Sequence, residues 1–160
     1  MSDPQWIDAA VPTGLEVRQV YGFIFNSDGR ILLLEDEGQY NLPWGKPEND
    51  ENLVGTLIRE VFEEVQITIF SPKYLGYQLI SAEEEFAQVR LVALIDLVQR
   101  SALDPSTGRQ YKRLLVPPIQ VNDLLKWGVS GNQQITGAIE LVSKLGIVWN
   151  GTPRTTIEVI

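Results

Sequence analysis

The sequence predicts an α/β (α+β) fold, because segments typical of strands alternate along the chain with segments typical of helices. Runs of β-branched, aromatic and aliphatic residues indicate strands and occupy 16–26, 31–35, 67–80 and 86–98. Apolar residues three or four positions apart indicate helices and occupy 51–65, 119–128 and 133–145. With 160 residues, the chain is predicted to form a single domain over 1–160.

The first two strands are predicted to form a hairpin. EVRQVYGFIFN is rich in β-branched and aromatic residues, and ILLLE returns after a turn at 26–30. Asp28 and Gly29 favour this turn, because both residue types accept the backbone angles that a tight hairpin needs. Residues 1–14, which contain two prolines, are predicted to be a loosely held lead-in.

A loop and then a helix follow the hairpin. Residues 35–50 contain two prolines and two glycines, so they are predicted to be mostly loop, with a short strand at 40–42. The helix over 51–65 would begin after Asp50, whose carboxylate can accept a hydrogen bond from the free amides of the first turn.

Two long strands and a loop are predicted in the middle of the chain. Residues 67–80 form one strand, or two with a break at Ser71 and Pro72. Residues 86–98 become continuously apolar towards their end, which indicates a buried strand. Residues 101–118 are predicted to be a long loop, and long loops in compact domains are often functional.

The last third of the chain is predicted to hold two helices. The first, over 119–128, would end at Gly128, since glycine favours the end of a helix. The second, over 133–145, would be capped by Asn132 and stopped by Gly146. The sequence leaves the structure of the tail, 147–160, open.

Composition excludes several kinds of chemistry. The chain contains no cysteine and no histidine, which excludes disulfides, thiolate zinc sites and histidine acid-base catalysis. The formal net charge of −8 argues against a DNA partner, because phosphate backbones bind clustered Lys and Arg. A bound metal would therefore need oxygen ligands, which favours Mg²⁺, Mn²⁺ or Ca²⁺.

The sequence also predicts that no membrane is involved. The N-terminus has no signal-peptide pattern, and the longest apolar run, LVALI, is too short to cross a bilayer. A cytoplasmic location is the expectation, and a homodimer is left open.

The helix over 51–65 carries an unusual group of carboxylates. At about 100° per residue, Glu60, Glu63 and Glu64 cluster at the shoulder of the apolar face. That face is predicted to comprise Leu53, Val54, Leu57, Ile58, Val61 and Val65. Like charges at this spacing repel one another, and more strongly when partly desolvated. A divalent cation would remove the conflict, so we interpret the three glutamates as metal ligands.

Upstream residues can support such a site. Gly45 and Lys46 lead into the helix, and glycine lets the backbone approach a ligand closely. Arg59 lies beside the glutamates in sequence and can pair with a carboxylate in a planar geometry, with Glu51 as one candidate partner.

These residues together resemble the signature of the Nudix hydrolases over 45–67. Gly45, Glu51, the run Arg59-Glu60-Val61-x-Glu63-Glu64 and Ile67 all stand at the spacing of that signature. Two positions depart from the family pattern, since Gln66 and Trp44 both stand where the family usually has glycine. Glycine at position 66 would end the helix in a left-handed conformation, so we expect Gln66 to alter the end of the helix without removing catalysis.

The resemblance implies a fold, a reaction and a metal. The fold would be an α/β/α sandwich with a central mixed sheet flanked by helices. The reaction would be the cleavage of the pyrophosphate linkage in a nucleoside diphosphate joined to another moiety, with Mg²⁺ or, as a substitute, Mn²⁺. The partner would be a small nucleotide-type diphosphate, whose identity the sequence leaves open.

The resemblance also implies roles for residues. Glu60, Glu63 and Glu64, with the carbonyl of Gly45, would hold the metal. Glu60, Glu63 and Arg59 would be the catalytic group, with Arg59 orienting the glutamates. Glu51 would be structural or would support the ligands from behind. Within the helix Glu60 is the first candidate for the general base, and the loop candidates are Glu83, Glu84, Glu85 and Asp104.

Substrate contacts are predicted from residue type. Lys46, Arg90 and Arg113 could touch phosphates, although a surface cation is more often only solvated. Four aromatic residues could stack on a base or could equally pack in the core: Tyr21, Tyr40, Trp44 and Trp127. Of these candidates, Lys46, Arg90 and Tyr21 are taken as the substrate-binding residues.

A second hypothesis is a non-catalytic Nudix-type module that binds a nucleotide or metabolite. Such a module would be expected to have lost ligand glutamates, whereas this chain keeps all of them, which favours an enzyme. An isomerase of isoprenoid diphosphates would be expected to use a cysteine, and the chain has none.

Overall fold

Nine strands and three helices form within residues 3–147 and 155–160, the part of the chain that this computed structural model describes. The strands are β1 (Gln5–Ile7), β2 (Glu16–Phe25), β3 (Ile31–Asp36), β4 (Gln39–Asn41), β5 (Trp44–Gly45), β6 (Ile67–Ile80), β7 (Phe86–Val98), β8 (Lys112–Val116) and β9 (Glu158–Val159). The helices are α1 (Leu53–Val65), α2 (Pro118–Leu125) and α3 (Gly128–Ser143).

All of these strands belong to one mixed sheet, in the order β1-β6-β7-β2-β3-β8-β9, with β4 beside β3 and β5 beside β2. The long central strands β2 and β7 are parallel, and the other pairs are antiparallel. Strand β3 pairs with β2 only between Phe25 and Ile31. Nearer the start of β2, strand β5 lies beside β2 in place of β3, and Gly45 pairs with Val20. The short strand β5 is thereby brought to the middle of the sheet.

Helices cover both faces of the sheet. Successive side chains of β2 point to opposite faces, so this strand contributes to a separate apolar cluster on each face. Val20 and Ile24 belong to one apolar cluster, which includes the buried residues of α1. Phe23 and Phe25 belong to the other cluster, which includes the buried residues of α2 and α3. The predicted mixed sheet flanked by helices is therefore confirmed.

Gly22 in β2 lets α1 approach the sheet closely. A Cβ atom at this position would lie 2.8 Å from Cδ1 of Leu57, which is closer than carbon atoms pack. Leu57, Val61 and Val65 are buried against the sheet as predicted. Val54 and Ile58, which we expected on the same buried face, are instead exposed, because the contact with the sheet is narrower than the apolar stripe.

The strand predictions for the centre of the chain are confirmed. Strand β7 spans the predicted 86–98, and β6 is one continuous strand over 67–80. The proposed break at Ser71 is a bulge inside that strand, where φ is 52° and the register with β7 shifts between Phe70 and Lys73.

Four predictions about the ends of the chain and the helix starts are wrong. The lead-in contains β1, which pairs with β6. Asn52, not Asp50, caps α1, since its Oδ1 accepts a hydrogen bond from the Gly55 amide at 2.7 Å. Gly128 opens α3 instead of ending α2, which stops at Lys126 with a φ of 60°. Helix α3 therefore begins four residues before Asn132.

The segment 101–118 is also not one loop, because β8 forms within it and pairs with β3 over five residues. The tail, for which no structure was predicted, includes β9, which pairs with β8; residues 148–154 lie outside the described residues. Among the helices of the described chain, none combines the length and the apolar character that crossing a membrane requires.

Candidate metal and substrate site

The carboxylates of the candidate site project from α1, which is held against the sheet by its buried leucine and valines. Glu60 and Glu64 lie one turn apart, and both line a cleft of about 440 Å³. The cleft is bounded by Trp44, Gly45, Lys46, Glu48, Glu60, Glu64, Asp104, Ser106, Thr107 and Tyr111. Three separate parts of the chain therefore meet there: α1, the β5 segment and the loop before β8.

Strand β5 contacts the glutamates directly. A Cβ atom on Gly45 would lie 2.0 Å from Cδ of Glu60, so only glycine leaves room for this carboxylate. The amide of Trp44 donates a hydrogen bond to Oε1 of Glu64 at 3.2 Å. Gly45 is thus beside the glutamates, where the sequence placed it.

Arg59 connects most of the remaining carboxylates. Its Nε and Nη2 donate to the two carboxylate oxygens of Glu51 at 2.8 and 3.1 Å. Its Nη1 donates to Glu60 at 2.8 Å and to Glu63 at 3.3 Å, and Nη2 also donates to the carbonyl of Lys46 at 3.0 Å. Arg59 thereby fixes the relative positions of Glu60 and Glu63, as expected of an orienting residue.

Glu51 is held as an anion behind the site. Hydrogen bonds from Arg59, and then from the Thr56 hydroxyl at 2.6 Å, lower the pKa of Glu51 to about 2. A permanently ionised partner keeps the guanidinium of Arg59 in one orientation.

The two glutamates that line the cleft have pKa values that are shifted upwards, opposite to the shift of Glu51. Burial raises the pKa of Glu64 to about 9, and the charges of Glu60 and Asp104 raise it further, against the Trp44 hydrogen bond. Burial also raises the pKa of Glu60. Both shifts are typical of carboxylates that are withdrawn from water and lie close to one another's charge.

Asp104 is the loop carboxylate that reaches the cleft. It is 2% exposed, and its Oδ1 accepts hydrogen bonds from the amide of Ser106 at 2.9 Å and its hydroxyl at 2.8 Å. Asp104 lies in the segment that was predicted as a long loop, and the turn that it begins places its carboxylate near Glu60 and Glu64.

The residues present fit a hard cation such as Mg²⁺, because the oxygen ligands Glu60 and Glu64 line one cleft beside Gly45, and Arg59 holds Glu63 next to Glu60. Within residues 3–147 and 155–160, no three acidic side chains already adopt the arrangement of a metal site. Arg59 lies among these carboxylates, and its Nη1 bonds to both Glu60 and Glu63.

A second cavity, of about 710 Å³, lies on the other side of Trp44 and is lined by Tyr21, Gln78, Arg90 and Trp127, among others. The rings of Trp44 and Tyr21 stack at 5.4 Å between their centroids. Trp44 lines the acidic cleft, whereas Tyr21 lines this second cavity, so the stacked pair joins the two.

Arg90 is the only cation that is buried in the second cavity among the described residues. Its Cζ lies 4.2 Å from the ring centroid of Tyr21 and 4.8 Å from that of Trp127. Its Nε donates to Oε1 of Gln134 at 2.9 Å, and Nη2 donates to Gln78 at 3.4 Å. Burial lowers the pKa of Arg90 to about 10, because these partners are neutral amides and not carboxylates.

Of the other charged candidates, only Lys46 lies at the acidic cleft among the described residues. Glu83, Glu84 and Glu85 are exposed on the turn before β7 and do not line the acidic cleft. Arg113 donates to the carbonyls of Val65 and Gln99, so its role is structural. Lys46 does line the cleft.

Several site residues were missed in the sequence. Ser106 and Tyr111 lie in a loop whose contacts the sequence does not reveal. Gln78 and Gln134 accept hydrogen bonds from Arg90. The feature of the sequence that could have identified them is a glutamine among the apolar residues of a predicted strand or helix.

The prediction that Gln66 alters the end of α1 is wrong. Gln66 adopts the left-handed conformation, with φ of 56° and ψ of 40°, and its amide donates to the carbonyl of Phe62 at 2.9 Å. The helix therefore ends as it would with glycine, and hydrogen bonds of the Gln66 side chain offset the strain.

Comparison with known proteins finds a domain match and a shared fold. The model of the NUDIX domain matches residues 16–80, whereas no curated protein matches the chain significantly. Among solved structures, a mutant of the Bacillus subtilis pyrophosphohydrolase BsRppH is 25% identical, with a TM-score of 0.55. That match covers 62% of this chain and 63% of the other, so it spans less than two thirds of the B. subtilis protein.

Two more distant structures share the fold over most of their length. The NUDIX domain of Shewanella oneidensis NrtR, complexed with ADP ribose, is 19% identical over 79% of this chain and 88% of its own, with a TM-score of 0.57. The C. elegans Ap4A hydrolase is 15% identical over 80% of this chain and 99% of its own, with a TM-score of 0.54. The chain therefore carries a match to the NUDIX domain over residues 16–80 and shares its fold with these solved structures.

Proposed function

We propose that this protein is a divalent-metal-dependent hydrolase that cleaves the pyrophosphate linkage of a nucleoside diphosphate joined to another moiety. The observation that carries the proposal is the convergence of Glu60, Glu64 and Asp104 on one cleft beside Gly45. Buried like charges are costly unless a cation or a proton compensates them. The pKa of Glu64, raised to about 9 by burial, reflects that cost.

Mg²⁺, or Mn²⁺ as a substitute, would be held by Glu60, Glu63, Glu64 and the Gly45 carbonyl. When bound, such an ion neutralises pyrophosphate charge and lowers the pKa of a water ligand. Arg59 keeps Glu60 and Glu63 aligned and is itself oriented by Glu51. Lys46, on the rim of the cleft, is placed to contact a phosphate oxygen.

Asp104 is assigned as the general base in preference to Glu83, Glu84 and Glu85. Ser106 holds its Oδ1, which leaves Oδ2 to take a proton from the attacking water. Glu60, the candidate within the helix, instead has its Oε1 occupied by the Arg59 guanidinium at 2.8 Å, which leaves it less free than Asp104 to take a proton from water.

The nucleoside would occupy the second cavity. Tyr21 and Trp127 line it with aromatic side chains suited to a base, and Arg90 with Gln78 adds polar groups that could fix the orientation of the base. The stacked pair of Trp44 and Tyr21 places this cavity next to the acidic cleft, so one molecule could extend its diphosphate towards Glu60 and Glu64. The ADP ribose bound by the NrtR domain is a molecule of this class.

The alternative is a nucleotide-binding module without turnover. It is favoured by one observation, since Arg59 engages both Glu60 and Glu63 and no metal-site arrangement is formed within the described residues. In this case the second cavity would bind a nucleotide while the acidic cleft would hold no catalytic ion.

A screen of nucleoside diphosphate derivatives and triphosphates with Mg²⁺ and Mn²⁺ tests the proposal. We expect release of a mononucleotide or of pyrophosphate from at least one compound. Binding of a compound by calorimetry, without turnover of any, would establish the module instead.

The variant Glu63→Gln tests the site. We expect kcat to fall by about 100-fold or more, because the neutral amide is a poor ligand for Mg²⁺, while circular dichroism stays unchanged. Glu140→Gln, an exposed glutamate on α3, is the matched control and should retain full turnover. Unchanged turnover in Glu63→Gln would contradict the assignment.

A further inference from the structure

Gln66 connects the end of α1 to the loop that carries Asp104. We infer that Gln66 is a positioning residue, which fixes Asp104 relative to the glutamates of α1; its role in turnover presupposes the function proposed above. The contacts of its side chain carry this inference, since a glycine at the same position would end the helix but could make none of them.

The backbone of Gln66 already serves the helix without the side chain. Its φ of 56° lies in the left-handed region, which glycine adopts without strain. Its amide bonds to the Phe62 carbonyl at 2.9 Å and its carbonyl accepts from the Gln99 amide at 3.0 Å. These backbone bonds would be available to any residue in this conformation.

The side chain adds two hydrogen bonds that join different parts of the chain. Its Nε2 donates to the carbonyl of Glu63 at 3.1 Å, and its Oε1 accepts from the amide of Ala102 at 2.7 Å. Glu63 is a predicted metal ligand, and Ala102 precedes Asp104 by two positions. One side chain therefore ties the helix to the start of the loop.

Hydrogen bonds within the loop beyond Ala102 fix its shape, whereas contacts with other parts of the chain fix its position. The amide of Asp104 donates to the Arg109 carbonyl at 2.7 Å, and the amide of Gly108 donates to the Asp104 carbonyl at 2.7 Å. These bonds close a compact turn around Asp104. Such a turn can move as a unit unless contacts outside it hold it. Two such contacts are the bond from Ala102 to Gln66, at the start of the loop, and the ion pair of Arg109 with Asp36 of β3, at its far end.

The fold does not depend on this side chain. Arg113 independently holds the carbonyls of Val65 and Gln99 at 3.0 and 2.8 Å, which keeps the end of α1 beside the preceding segment. Loss of the Gln66 amide should therefore loosen the start of the loop, between Ala102 and Asp104, and leave the helix and sheet in place.

Two variants separate the tie from the backbone strain. Gln66→Met keeps an unbranched side chain of similar length but has neither the donor nor the acceptor of the amide. Gln66→Gly also removes the tie and, in addition, relieves the strain. Lys126→Gly is the control, because Lys126 ends α2 in the same left-handed conformation, with a φ of 60°.

Hydrogen exchange of the full chain, resolved to single amides, is the first measurement. We expect the Ala102 amide to exchange about tenfold faster in both Gln66 variants, from the loss of a hydrogen bond of ordinary strength. The Asp104 amide, which is bonded to the Arg109 carbonyl inside the turn, should keep its protection. Amides of β2 and β7 should keep their protection, and Lys126→Gly should leave the loop unchanged. Normal protection of Ala102 in either variant, or faster exchange throughout the chain, would overturn the inference.

Turnover is the second measurement, made on whichever substrate the screen provides. Both variants should lower kcat about tenfold and leave KM within about twofold, because Asp104 is displaced from the reacting water while the nucleoside cavity is intact. Faster exchange with unchanged kcat would also overturn the positioning role. If the wild-type protein shows no turnover, the proposed function fails, and the exchange data alone decide whether Gln66 holds the loop.

Discussion

Gly45 and Glu60 lie so close together that the missing side chain of the glycine determines where the carboxylate can sit. The carboxylate occupies the space that a Cβ atom on Gly45 would need. The clash falls on the far end of a flexible side chain, which can rotate away at little cost to the fold. A side chain at position 45 should thus disturb the site without unfolding the protein.

Gly45→Ala is accordingly expected to lower Mg²⁺-dependent turnover by about tenfold or more while it leaves the melting temperature nearly unchanged. Gly137→Ala is the control, because a Cβ atom there meets only Cδ1 of Leu75, at 3.3 Å. Steady-state kinetics and thermal unfolding of both variants check this. Normal turnover in Gly45→Ala would show that Glu60 need not occupy its position beside β5.

Glu64 makes the stability of the metal-free protein depend on pH. Its pKa is raised by burial from 4.5 to about 9 in the folded state, so the folded protein binds this proton more tightly than the unfolded chain. Stability from this group is complete below pH 4.5, falls as pH rises, and is lost once pH passes the folded pKa.

We therefore expect the melting temperature in EDTA to fall steadily between about pH 5 and pH 9. Glu64→Gln cannot lose a proton, so its melting temperature should vary much less over the same range. Scanning calorimetry at matched ionic strength measures both curves. Parallel curves for the two proteins would mean that Glu64 does not carry this dependence.

At the scale of elements, α1 is the part of the fold on which the site depends most. Leu57 is fully buried and lies against Gly22 of the sheet, whereas the neighbouring Ile58 is 44% exposed. Adjacent residues of one helix therefore differ strongly in how much they contribute to packing.

Leu57→Ala should reduce the free energy of unfolding by about 2–5 kcal/mol, because it leaves a cavity between α1 and the sheet. Ile58→Ala should reduce it by less than about 1 kcal/mol. Urea unfolding followed by circular dichroism compares the two. Equal losses would indicate that the exposed face of α1 is covered in solution.

Strands β2, β6 and β7 could be predicted because each is a long run of β-formers buried on at least one face. Strand β8 could not, because it is short and begins with Lys112 and Arg113, and its pairing with β3 is a contact distant in sequence. The start of α3 could not be predicted either, because it also depends on tertiary contacts. Gly131 lies within that start and packs against Asn122 and Trp127, so tertiary contacts override its low helix propensity.

The candidate site divides in the same way. Glu60, Glu63 and Glu64 could be found because the periodicity of one helix brings them together. The pairing of Arg90 with Gln134 spans 44 positions, and no local pattern reports such a contact. Asp104 was one of four loop candidates, and only the folded position of its turn distinguishes it from Glu83, Glu84 and Glu85.

At the scale of the whole molecule, the candidate site joins α1, β5 and the loop before β8, which are far apart in sequence. A ligand shared by these parts binds only when all of them are in place, so it stabilises the folded state as a whole. The net charge of −8 adds a general attraction for cations, which any test of specific binding must separate.

Mg²⁺ should therefore raise the melting temperature, and more at pH 8 than at pH 6, because carboxylates with a raised pKa must lose protons to bind it. NaCl at the same ionic strength should have a much smaller effect, which serves as the control. Thermal unfolding with both salts at both pH values measures this. Equal shifts with the two salts would point to screening of the net charge instead of a defined site.

The stacked pair of Tyr21 and Trp44, with Trp127 edge-on to Tyr21 at 6.2 Å, has a practical consequence. Two indole rings stand at the boundary of the two cavities, and the emission of an indole depends on the charges and rings around it. An ion beside Glu64 would alter the surroundings of Trp44, and a base in the larger cavity would alter those of Trp127. The intrinsic fluorescence of the unlabelled protein should therefore respond when either cavity is occupied.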